Sequence, residues 1–120
     1  MIKKILLITD PAHSLSAKKD TSLFMVEHAQ TIGIKSYQCE MKDIVYSGNS
    51  VKAFAKEITF YNQEIVLAEE TIDAELTEFH FVFMRKDPPV DKDYMNTLHL
   101  LDLAKIDGAK IINDPAAIKK

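Results

Sequence analysis

Arg85, Lys86 and Asp87 stand between the apolar run Phe79–Met84 and the pair Pro88-Pro89. A guanidinium offers a planar fork of donors that matches a carboxylate or phosphate, and a neighbouring ammonium adds a point charge. Asp87 can hold the arginine in place or accept from a ligand amine, and the two prolines fix the backbone that follows. At the end of a strand this turn would bind an anion; the same residues also fit a solvated charged turn closed by prolines. Two further apolar runs end in polar residues: Ile5–Ile8 in Thr9-Asp10, and Lys110–Ile112 in Asn113-Asp114. A third kind of site is a helix N-terminus at Asp20-Thr21-Ser22, preceded by Lys18-Lys19, where free N–H groups and the helix dipole favour an anion. The alternative there is an ordinary capped helix. No glycine precedes Gly33, so the glycine pattern of a phosphate loop is missing.

The remaining reactive side chains carry less chemistry. Asp10 invites comparison with a phosphoacceptor aspartate, but that site would want further carboxylates beside it for a metal, and only Asp10 stands at this strand end. It also reads as a turn-initiating residue before Pro11. His13, His28, His80 and His99 are far apart and none has metal-ligand spacing with Cys39, so no metal site is expected. His13 alone falls in a loop near the candidate pocket. Cys39 reads as a small buried side chain and not as a nucleophile.

These residues need a scaffold. Ile5–Ile8 is continuously apolar, the pattern of a strand covered on both faces in a parallel sheet. A helix is expected from Asp20 or Thr21, with Met25, Val26, Ala29 and Ile32 as its buried stripe and Gly33 ending it. Ile34–Cys39 follows as a second strand. The middle differs: Ile44–Tyr46, a Gly48-Asn49 turn and Val51–Phe60 predict a hairpin or extended excursion. The acidic stretch Glu64–Glu78 reads as an insertion on the sheet's edge. The strand Phe79–Met84 restores the regular pattern. A helix over Asp91–Asp107 should bury Tyr94, Leu98, Leu101 and Ala104, with Met95, Leu100 and Leu103 widening that face. Gly108 caps it and Lys110–Asn113 is the last strand. Two strand–helix–strand units around a central excursion imply a mostly parallel, Rossmann-like α/β sheet flanked by helices. In such sheets ligands sit beyond the carboxyl ends of the strands, where the candidate residues fall.

At 120 residues the chain fits one domain, and an apolar share of 47% suits a soluble globular protein. A net charge of −3 without a basic stripe argues against nucleic acid. One cysteine excludes an intrachain disulfide, the apolar start is too short for a signal peptide, and no run reaches the ~20 residues of a membrane span. A soluble, cytoplasmic protein is expected.

The hexad Met84-Arg85-Lys86-Asp87-Pro88-Pro89 closely resembles that of the amino-terminal domain of prokaryotic glutathione synthetase. Asp10-Pro11, Lys18-Lys19-Asp20-Thr21-Ser22 and Ile112-Asn113-Asp114-Pro115 match the same family in order and spacing, so the resemblance covers essentially the whole chain. It implies a single pre-ATP-grasp domain over residues 1–120, with the ATP-grasp catalytic domain absent from this chain. In that family, ATP phosphorylates the cysteinyl carboxylate of γ-glutamylcysteine, and the amine of glycine attacks the acyl phosphate to give glutathione. ATP and magnesium belong to the ATP-grasp part, so neither is expected on this chain, which should be inactive alone. Carried over by position, Arg85, Lys86 and Asp87 become the wall for the peptide substrate, with Asp10, Asp20, Thr21 and Ser22 facing the same cleft. A homo-oligomer is implied for the full-length enzyme. Two alternatives stay open: a stand-alone Rossmann-like binding or assembly module, and the matching domain of another ATP-grasp ligase, such as one joining D-alanines.

Overall fold

A computed structural model describes residues 3–10, 21–61, 64–85 and 91–113, with the side chains of 21–24 and 113 outside that description. The apolar run near the N-terminus forms β1 (Lys4–Ile8), which lies parallel to β2 (Lys35–Cys39) on one side and to β6 (Phe81–Met84) on the other. β7 (Ile111–Asn113) extends the sheet beyond β6, again parallel. The parallel strands thus run in the order β2-β1-β6-β7. Helix α1 (Thr21–Thr31) links β1 to β2, and α2 (Lys92–Ile106) links β6 to β7. The expected α/β class with two strand–helix–strand units is borne out.

Burial on both faces explains the apolar character of β1. Leu6 and Ile8 join a core with Tyr94, Leu101 and Ala104 of α2, while Leu7 packs with Val26 of α1. Alternation along a strand sends neighbouring side chains to opposite faces, so the two helices cover opposite sides. Both helices end in a reversal that needs a residue at positive φ. Gly33 (φ 81) and Gly108 (φ 109) supply it. The N–H of Ile34 reaches the carbonyl of Ala29 at 2.8 Å, and that of Ala109 reaches Ala104 at 3.0 Å, the bond pair of a Schellman ending being completed from Gly33 and Gly108.

The central excursion is a second, antiparallel half of the sheet. β3 (Ile44–Ser47) and β4 (Ser50–Tyr61) form a hairpin around Gly48-Asn49, and β5 (Glu64–Glu75) pairs along β4 from Lys52 to Tyr61. Because β5 occupies one edge of β4, β3 and β2 share the other: β3 faces Ser50–Ala53 and β2 faces Lys56–Ile58. The ladder with β5 slips between Lys56 and Ile58, an irregularity that bends the long ribbon. The acidic segment lies at the sheet's border, as expected.

Three expectations change. Ile32 lies one residue past α1 and is 57% exposed, because the chain is already turning into Gly33. Met95 and Leu103 do not widen the buried face of α2; they are 44% and 43% exposed. At about 100° per residue they stand opposite or at right angles to Tyr94, Thr97, Leu101 and Ala104, which are buried. The strand expected from Phe79 begins at Phe81, since a 3-10 turn at Leu76–Glu78 carries the chain out of β5.

Candidate functional site

The strand order dictates where a site can form. From β1 the chain leaves toward β2, and from β6 it leaves in the opposite direction toward β7. The connections after β1 and β6 therefore part company, and the crevice beyond their carboxyl ends is the switch point where open parallel sheets bind ligands. Asp10 and Arg85 flank this crevice. Ile8 pairs with Met84, and the N–H of Arg85 donates to the carbonyl of Ile8 at 2.8 Å, so the two strand ends are locked side by side. Asn113 pairs with Met84 from the far side. All three polar strand ends read from the sequence converge on one rim of the sheet.

A cavity of about 390 Å³ opens beside this crevice. Its floor is Thr9 and Asp10 at the end of β1, and one wall is Glu40, Met41, Lys42 and Ile44, which follow β2. The other wall is the first half of α2, with Asp93, Asn96, Thr97 and Leu100. Three carboxylates against one ammonium make the lining acidic, a surrounding that favours an ammonium group over an anion.

Buried polar contacts hold the floor in place. Thr9 and Gln38 are 2% and 7% exposed. The amide of Gln38 donates to Thr9 Oγ1 at 3.1 Å and also approaches the carbonyls of Cys39 at 3.3 Å and Asp10 at 3.4 Å. The Thr9 hydroxyl donates to the Asp10 carbonyl at 2.6 Å. The N–H of Thr9 donates to the carbonyl of Cys39 at 3.0 Å. The wall after β2 is fixed by Asp43, whose carboxylate accepts from the N–H of Glu40 at 2.9 Å and lies 3.5 Å from the ammonium of Lys42. The opposite wall starts where Asp91 caps α2, accepting from the N–H of Tyr94 at 2.9 Å. Thr97 turns its hydroxyl to the carbonyl of Asp93 at 2.9 Å. Cys39 lies beneath this wall, 2% exposed, and burial pushes its thiol well above the ordinary range, with Asp43 and Glu40 adding to the shift against Lys42. It is a neutral thiol, unsuited to nucleophilic attack.

Of the residues read from the sequence, Asp10 lines the cavity and Arg85 stands at the neighbouring strand end. Lys86, Asp87 and Asp20 lie outside the described residues, as do His13 and Asp114, and Thr21 and Ser22 open α1 with their side chains undescribed. Glu40, Lys42, Asp93 and Asn96 were not singled out from the sequence. Glu40 follows a strand end as Asp10 does, and the same rule would have found it.

Over residues 3–119 the chain matches the family model for the prokaryotic glutathione synthetase N-terminal domain. It belongs to that family. The chain is 32% identical over 114 residues to a glutathione synthetase of Prochlorococcus marinus (strain MIT 9313), covering 95% of this chain and 36% of that protein. A glutathione synthetase of Ralstonia nicotianae is 33% identical over 118 residues, 97% of this chain and 36% of the relative. One from Pseudomonas syringae pv. tomato is 31% identical over 115 residues, with 94% and 36% covered. The chain thus spans about a third of the length of these relatives. Among the described residues no helix is long and apolar enough to cross a membrane.

Proposed function

We propose that this domain forms the peptide-substrate wall of an ATP-dependent ligase that joins γ-glutamylcysteine to glycine. The observation that carries the reading is the convergence of Asp10 and Arg85 at the switch crevice, in a chain of the glutathione synthetase N-terminal family. The substrate is zwitterionic, with carboxylates and a free amine. A guanidinium at the end of β6, followed in sequence by Lys86, suits a carboxylate; the acidic cavity with Asp10, Glu40 and Asp93 suits the amine. Asp87, Asp20, Thr21 and Ser22 complete the proposed wall from the segments after β6 and β1. The role of this chain is to bind and orient: holding both ends of the peptide fixes its reacting carboxylate relative to the bound nucleotide.

ATP and magnesium would supply the activation of that carboxylate. The described residues do not fit the metal, since no group of three His, Cys, Asp or Glu side chains gathers to hold one. We assign both to the ATP-grasp part of the full-length protein and propose that the 120-residue chain is non-catalytic alone. The full-length enzyme is proposed to be a cytoplasmic homo-oligomer. The test is steady-state kinetics of the full-length protein. Arg85→Ala should raise KM for γ-glutamylcysteine about tenfold or more while KM for ATP stays put, and Asp10→Asn should act in the same direction. An unchanged KM for the peptide in both variants would make these residues structural.

A further inference from the structure

The parallel strands enter the sheet through basic residues. Lys35 opens β2 and Lys4 opens β1, while His80 and Lys110 directly precede β6 and β7. The backbone holds these entries level. The N–H of Lys35 donates to the carbonyl of Lys3 at 3.1 Å, that of His80 to Lys4 at 2.7 Å, and that of Val82 to Lys110 at 2.9 Å. Four strands at a spacing of ~4.8 Å make this a basic rim about 14 Å long, in a chain whose net charge is −3. It lies at the opposite end of β1 from Asp10 and the acidic cavity.

A cavity of about 270 Å³ is set into this rim, lined by Lys3, Lys4, Lys110 and His80 with Thr77 and Glu78. Glu78 is the one carboxylate in the lining, and the Lys4 ammonium takes it up at 3.8 Å. That ammonium is also held 5.3 Å from the ring centre of buried Phe79 and 5.8 Å from that of Tyr37. The Lys110 ammonium sits 5.9 Å from the ring centre of Phe81, and His80 meets the same ring edge to face at 4.9 Å. Among the described residues neither Lys3 nor Lys110 has a carboxylate partner. The carbonyls at the end of α2 would repel an anion if bare. Leu103, Ala104 and Lys105 instead accept from the N–H groups of Asp107, Gly108 and Ala109, and the Asp107 side chain is not part of the lining.

We propose that this cavity is a second binding site, for a phosphate-bearing anion. Ammonium groups bind phosphate as point charges. Two of them without a carboxylate partner, beside an imidazole N–H and the Thr77 hydroxyl, match the several oxygens and double charge of a phosphate. The aromatic contacts of Lys4 and Lys110 set part of this arrangement before a ligand arrives, which lowers the cost of ordering them. The site does not rest on the peptide assignment.

Amide NMR spectra of the 120-residue chain, titrated with sodium pyrophosphate at a constant ionic strength of about 0.15 M, read the site directly. Saturable shifts are expected at Lys3, Lys4, Thr77 to His80 and Gly108 to Lys110, with a Kd of about 1 mM or tighter. Lys3→Gln combined with Lys110→Gln should weaken binding about fivefold or more while the amides elsewhere keep their positions. Lys52→Gln combined with Lys92→Gln removes as much charge away from the rim and should leave the Kd unchanged. Inorganic phosphate and adenosine monophosphate distinguish the source. Equal affinities mark a site for free phosphate and tighter nucleotide binding marks one for a nucleotide phosphate, both being the proposed chemistry. Shifts that never saturate, or equal losses in the two double variants, would reduce the rim to diffuse surface charge and overturn the proposal. Malonate binding as tightly as pyrophosphate would overturn the phosphate class.

Discussion

The thiol of Cys39 shows how one residue's surroundings set its chemistry. Burial raises its pKa first, and the carboxylates of Asp43 and Glu40 add to the shift. In the unfolded chain the same thiol ionises near its ordinary value, about 8.5. A folded pKa raised above the unfolded one means that stability is complete below the unfolded value and is lost as pH rises toward the folded one. Across that window the native state keeps a proton the unfolded chain has released, a penalty of up to about 1.4 kcal/mol per pH unit. Urea unfolding of wild type and Cys39→Ala, between about pH 8 and pH 10, isolates this contribution from that of lysines and tyrosines. The stability advantage of wild type should shrink with rising pH, and a constant difference would remove the thiol from the account. The burial of Cys39 was legible from residue type and strand position. Gln38 was not: an amide facing inward breaks the apolar pattern, and its reason, the neighbouring ends of β1 and β2, exists only once the strands are paired. Glu40 is legible by the rule that finds Asp10, since it follows the end of β2, whereas Lys42 reaches the cavity only through the 3-10 turn Met41–Asp43.

Elements position the site through their ends. Asp93, Asn96 and Thr97 reach the cavity only because α2 begins at Lys92, and Asp91 sets that start by accepting from Tyr94 N–H. Asp91→Ala should cost about 1 kcal/mol, with Asp91→Asn within a few tenths of wild type, since both Asp and Asn cap well. Urea midpoints at unchanged slope would record this; equal loss in both variants would point to the charge, not the cap. The two strand–helix–strand units were readable because β1 is apolar from Ile5 to Ile8 and glycine ends each helix. Composition alone overstates the burial of α2. Composition put Met95 and Leu103 in the core, while the helical angle from Tyr94 and Leu101 puts them outside. The β4–β5 ribbon was harder still. Five acidic residues on β5 hide its period-2 pattern, and they suit a border strand because charge there discourages pairing with other chains.

At the scale of the whole molecule, the core and the proposed cleft make different demands on the chain. The radius of gyration, 13.6 Å, equals the roughly 14 Å expected of a compact chain of this length. Among the described residues one core cluster runs from β3 through β1 to α2, and a chain with such a core is expected to fold by itself. Its rim is different: among the described residues the cavity beside Asp10 has walls from β2 and α2, and the relatives extend for about twice as much chain again. A ligand held on one wall keeps most of its surface in water, whereas tight sites enclose 70–90% of a small ligand. The 120-residue chain should therefore unfold cooperatively in urea, with a slope of about 1–2 kcal/mol/M, yet bind γ-glutamylcysteine no more tightly than about 1 mM. Calorimetric titration of this chain beside the full-length protein separates the two properties. Cooperative unfolding with weak binding, against clear binding by the full-length protein, is what a folded half-cleft gives. Micromolar binding by this chain alone would mean that its own rim encloses the peptide, and the domain would then be a binding module in its own right.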